Sequence, residues 1–132
     1  MNIIICLDDK NGIRFNGRRQ SRDSVLCERV LAMAKGGGLY MSEDSAKMFP
    51  FACVKAQDGF LSFAKAGDFC FVEDDEFLRC SDRFERVIVY RWNKVYPSDL
   101  KVDTRFLDKM KLVSSTDFKG SSHERITEEI YE

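Results

Sequence analysis

The chain has 132 residues, 44% of them hydrophobic and 33% charged, with a formal net charge of -1. That length fits one domain, residues 1–132, with enough apolar material to close a core. The near balance of charge argues against a general nucleic-acid or membrane-surface protein. No apolar run reaches the roughly 18 residues that a membrane span needs.

The first element is the run Ile3-Ile4-Ile5-Cys6-Leu7, β-branched and without polar alternation. Such a run reads as a strand buried on both faces, hence an α/β sheet. Met1-Asn2 passes directly into it and Asp8-Asp9 follows, so no secretory leader is read. A basic loop from Arg14 to Asp23 comes next. Loops at the carboxyl ends of strands in open α/β sheets are where ligands bind.

Ser24 to Lys35 reads as a helix, with Leu26, Val30, Met33 and Ala34 on one stripe. Asp23 or Ser24 caps it, and Gly36-Gly37-Gly38 ends it. This glycine run follows a helix and precedes a strand, the reverse of a phosphate loop. Leu39 to Met41 is a short strand, and Ser42 to Ser45 opens a second helix stopped by Pro50. Phe51 to Val54 reads as a third strand and Gly59 to Ala66 as a short helix.

Phe69 to Val72 is a buried strand, and Glu73-Asp74-Asp75-Glu76 starts a helix running to about Asp82. Val87 to Tyr90 is the clearest remaining strand, and Met110 to Val113 is another candidate. His123 to Tyr131 fits either period, and Ser121-x-x-Glu124 has the form of a capping box. Helices between strands imply crossovers and a mainly parallel sheet flanked by helices, with an antiparallel C-terminal edge.

Three segments resemble the dihydrofolate reductases. They are Ile3 to Gly12, Ala66 to Val72, and Arg86 to Tyr90 with Trp92 to Asp99 and Lys111 to Val113. The resemblance implies a shortened dihydrofolate-reductase-like fold. It also implies that an acid near the start of the first helix persists as Asp23, the one candidate for a catalytic role. Where those reductases carry a Gly-Gly pair after the strand matching Phe69 to Val72, this chain has Glu73-Asp74. Where they carry Gly-Arg after the strand matching Leu39 to Met41, it has Ser42-Glu43. Carboxylates at places that would face cofactor phosphate repel it. No cofactor is therefore expected, and nicotinamide-dependent reduction is argued against.

The densest positive charge is Arg14, Arg18, Arg19 and Arg22. With Gln20, Ser21 and a helix start beside them, Arg18, Arg19, Gln20, Ser21, Arg22 and Asp23 are the candidate ligand-binding residues for a small anion. Asp8, Asp9, Glu73 and Asp74 each follow a buried strand and, if those strands are neighbours, converge as oxygen donors for Mg²⁺ or Mn²⁺. Tyr90 to Tyr96 interleaves aromatics with bases, a pattern read first as a strand end with snorkelling cations. The lone histidine, His123, sits beside Ser121 and Ser122 in what reads as a turn or cap.

Cys6, Cys27, Cys53, Cys70 and Cys80 form no C-x-x-C motif and read as buried thiols in a reducing, cytoplasmic compartment. The first functional expectation is a cytoplasmic protein that binds a phosphorylated small molecule or nucleotide on a reductase-like scaffold. The alternatives are a divalent-metal phosphohydrolase or nuclease and a protein-interaction module built on Trp92 and Tyr96. A membrane or nucleic-acid partner is not expected.

Overall fold

A computed structural model describes residues 1–132, with every side chain except that of Phe51. Strand β1 (Asn2–Leu7) lies between β6 (Phe69–Val72) and β7 (Arg86–Arg91), parallel to both. The three unalternated runs thus occupy the middle of the sheet. Successive side chains of a strand point to opposite faces. Ile4, Phe71, Ile88 and Tyr90 enter one core, while Ile3, Ile5, Val72, Val87 and Val89 enter the other.

The main sheet runs β5-β4-β6-β1-β7-β10-β9, with β4 (Leu39–Met41) and β5 (Lys55–Ala56) parallel to the centre. β9 (Leu112–Phe118) and β10 (Ile126–Tyr131) are antiparallel and form the C-terminal edge. The fold is therefore mixed α/β and mainly parallel.

Helix α1 (Ser24–Met33) covers the first core through Leu26 and Val30. It begins at Asp23, whose carboxylate accepts from the Val25 and Leu26 amides. Gly36, with φ of +91°, lies just beyond its end, in the left-handed conformation that glycine adopts at least cost. The short α2 (Glu43–Ala46) is capped by Ser42. The second core is covered by irregular 3-10 segments, in which Phe77 packs against Phe84 and Phe106.

Several local expectations are corrected. Phe51–Cys53 is a 3-10 turn, because the Pro50 carbonyl accepts the Cys53 amide, and the strand begins only at Lys55. The segment from Gly59 keeps a single 3-10 turn, Phe60–Ser62. Glu76–Arg83 is 3-10 with a kink at Cys80 rather than an α-helix, its path set by burying Phe77 in the aromatic cluster. The ambiguous tail is a strand, with buried Ile126 and Glu128 following period two, and no helix starts at Ser121. β9 is longer than expected because its polar middle, Ser114 to Asp117, is held by pairing to β10 and not by burial.

The basic loop is a β-hairpin. β2 (Gly12–Phe15) and β3 (Arg18–Arg19) pair around Asn16-Gly17, both at positive φ, as a two-residue hairpin turn requires. β2 also pairs with β8 (Leu100–Lys101), making a second, three-stranded sheet. No helix is long and apolar enough to cross a membrane among the described residues.

Candidate functional site

Because β1, β4, β6 and β7 are parallel, their carboxyl ends share one sheet edge. Asp8, Ser42, Glu73 and Trp92 follow those ends directly. A cavity lies there, with Cys6, Leu26, Cys27, Met48, Phe71 and Trp92 on its apolar wall. Arg19, Gln20, Ser21, Arg22, Asp23 and Glu73 supply its polar lining. The structure thus brings five of the six expected ligand-binding residues to one cavity. Arg18 is exposed and lines a neighbouring depression with Tyr96 and Pro97.

The arginines are not equivalent. Arg19 is forked onto Glu73, with Nε at 3.0 Å and Nη2 at 3.0 Å from its carboxylate oxygens, and it also reaches Asp44 at 3.0 Å. Its positive charge is therefore already neutralised. Arg14 donates to the Glu73 carbonyl at 3.1 Å, so the hairpin is pinned to the end of β6. Arg18 and Arg22 make no side-chain ion pair or hydrogen bond among the described residues.

The expected metal donors are likewise separated by their partners. Asp8 is fully buried, and its oxygens accept from the Lys10 and Gly12 amides at 2.8 Å, Gln20 Nε2 at 3.0 Å and the Tyr96 amide at 3.1 Å. Burial pushes its carboxyl up, but these bonds outweigh that and hold it below the usual range. Glu73 is occupied by Arg19 and by the Ser45 hydroxyl at 2.6 Å. Asp9 is exposed, and Asp74 accepts the Glu76 amide at 3.0 Å. No three His, Cys, Asp or Glu side chains form a metal-ligating group among the described residues.

Asp23 does more than cap α1. It is 2% exposed, and it also accepts from the Ser121 and Ser122 amides, each at 2.9 Å, and from the His123 ring at 2.9 Å. Burial alone would raise its pKa. The His123 bond and the backbone amides outweigh burial and hold the carboxyl far below the usual range. His123 is 5% exposed and stacks on Trp92 with ring centroids 4.4 Å apart. Its Nε2 lies 2.8 Å from the Tyr96 hydroxyl and 3.1 Å from Ser21 Oγ.

Sequence reasoning singled out Asp23 and Ser21 but weighed His123 only against its neighbours Ser121 and Ser122. The serine on Nε2 is 102 positions away, and no local signal announces it. Ser121 instead accepts the Ser24 amide at 2.9 Å, helping to cap α1 from across the fold. Trp92 is 4% exposed and belongs to the core, which removes the main anchor of the interaction-module alternative.

The cavity cysteines are not activated. Burial pushes Cys27 up to about 11 and Cys6 well above the ordinary thiol value, so both are neutral. Gln20 Oε1 is the one buried side-chain polar atom without a hydrogen-bond partner among the described residues. The amide cannot turn to satisfy it, because its nitrogen donates to both Asp8 and the Pro97 carbonyl.

These elements and their order define a dihydrofolate-reductase-like fold. The chain is similar to a solved structure of dihydrofolate reductase from Enterococcus faecalis complexed with NADP(H) and RAB-propyl. The likeness has a TM-score of 0.69, covers 98% of this chain and 94% of that chain, and comes with 9% sequence identity. No protein-family model matches the chain, and no curated protein matches it.

Proposed function

We propose that the chain binds a phosphorylated small molecule or nucleotide in the cleft at the carboxyl edge of its parallel strands. One observation carries this reading: Arg22, whose side chain has no hydrogen-bond or ion-pair partner among the described residues, borders a cavity that is apolar on its other side. An unpaired guanidinium suits a phosphate, and the adjoining depression of about 580 Å³, which shares Arg19 and Gln20 with this small cavity and is lined by Phe15, Tyr96 and Pro97, has the room for the body of the molecule.

The same reading excludes nicotinamide bound as in the reductases. The Glu43 amide at the start of α2 is already taken by Asp58 at 3.1 Å, so a carboxylate sits at that helix start. Exposed Glu43 adds charge of the same sign at the end of β4, and the Glu73 carboxylate after β6 is already held by Arg19.

Thermal shift with nucleotides, inorganic phosphate, Mg²⁺, Mn²⁺ and reduced nicotinamides tests the reading. A ligand that binds only the native state raises Tm by mass action. Nucleotides or phosphate are expected to stabilise, and Arg22→Ala to weaken that binding roughly 10- to 100-fold at unchanged Tm. Stabilisation by reduced nicotinamides alone, or anion binding indifferent to Arg22, would overturn it.

A further inference from the structure

We propose that Ser21, His123 and Asp23 form a nucleophilic site, with Ser21 attacking an ester that carries a negatively charged group. The location of the substrate rests on the cleft reading above. The nucleophile itself rests on separate geometry.

Asp23 is buried and ionised, so toward His123 it can only accept. The ring Nδ1, 2.9 Å away, therefore carries a proton, and in the neutral imidazole Nε2 then keeps its lone pair. That lone pair faces two hydroxyls, Ser21 at 3.1 Å and Tyr96 at 2.8 Å. Stacking on Trp92 fixes the plane of the ring. A carboxylate orienting an imidazole that accepts from a serine is the arrangement that activates serine nucleophiles on unrelated folds. Ser21 is half-buried and lines the cavity beside Arg22.

Ser21 Oγ bonds to the ester carbonyl carbon as its proton passes to His123 Nε2. The carbonyl oxygen becomes an oxyanion, while Arg22 of the same cavity holds the negatively charged group of the substrate. The bond to the leaving oxygen then breaks, and that oxygen takes the proton from Nε2. Water attacks the acyl-Ser21 in the same sense and releases the carboxylic acid. Asp23 acts through His123 and is a positioning residue. The Tyr96 hydroxyl competes with Ser21 for the one lone pair.

The test is labelling of the full chain by a fluorophosphonate, in which Oγ bonds to phosphorus and fluoride leaves. Intact mass and peptide mapping locate the adduct, and inorganic-phosphate thermal shift is measured on the same proteins. One adduct is expected, on Ser21. It should be absent in Ser21→Ala and at least about 100-fold slower in His123→Gln, the contribution of a general base.

Tyr96→Phe should label faster than the parent at unchanged Tm, which separates relief of the competing hydroxyl from loosening of the fold. Adduct elsewhere, labelling of Ser21 indifferent to His123→Gln, or no gain in Tyr96→Phe would overturn the proposal. Phosphate stabilisation without a Ser21 adduct sinks this proposal and leaves the binding reading standing. An adduct without phosphate stabilisation does the reverse.

Discussion

Replacing Asp23 with alanine tests the network on which the whole site is built. The carboxylate accepts from the Val25 and Leu26 amides at 3.0 and 3.1 Å, and from Ser121, Ser122 and His123 at 2.9 Å each. Losing the helix cap costs about 1 kcal/mol. Ser121 and Ser122 are exposed, so water recovers part of their loss. His123 is buried and would keep only the Ser122 hydroxyl, 3.2 Å from its Nδ1, so the lost charged acceptor there costs about 1–3 kcal/mol. The expected loss is therefore about 3–5 kcal/mol, a large share of a typical domain stability of roughly 5–15 kcal/mol.

Urea unfolding followed by the fluorescence of Trp92, the single tryptophan, measures it beside the network itself. The pH dependence gives an independent reading. Asp23 is depressed in the folded state, while the unfolded carboxyl titrates near about 3.9. The unfolded chain then binds more protons below that pH, so the Asp23 contribution is complete above it and is lost as pH falls toward the folded pKa. The parent should lose stability on acidification more steeply than Asp23→Ala. A loss under about 1 kcal/mol, or identical acid limbs in both proteins, would refute the account.

Arg19 and Glu73 should behave as one unit. Arg19→Ala and Glu73→Ala should each lower stability by about 2 kcal/mol with a coupling of at least about 1 kcal/mol in a double-mutant cycle, while exposed Arg18→Ala stays within about 0.5 kcal/mol. Additive losses would show that the pair is only adjacent. Gly120→Ala should destabilise by about 1–3 kcal/mol in thermal unfolding, because its Cβ would overlap the Asp23 carboxylate and come within 2.9 Å of Ile126. An unchanged Tm would contradict that packing. Glu128 is buried, accepting from Arg29 at 2.8 Å and from the Tyr90 hydroxyl at 2.9 Å, so Glu128→Ala should cost about 2–3 kcal/mol in urea unfolding. Glu128→Gln, which keeps an acceptor, should cost less.

The central strands and the first helix were legible in the residues themselves. Ile3 to Leu7, Phe69 to Val72 and Val87 to Tyr90 are apolar without alternation, and only burial on both faces makes such runs soluble. Asp23 and Gly36 marked the ends of α1 because capping is local chemistry. The hairpin was also written locally, in Asn16-Gly17, but its arginine-rich strands carry no apolar pattern and pass for a solvated loop.

What only the tertiary structure decided is who partners whom. Arg19 and Glu73 were assigned to different ligands, an anion and a metal, yet the strand order places them together across 54 positions and each neutralises the other. His123 lies 100 residues from Asp23 and meets it because β10 returns antiparallel beside β7, carrying the preceding loop to the start of α1. Periodicity and capping report on neighbours within a few residues. The pairing of buried charges depends on crossovers and strand order, which no short window of sequence contains.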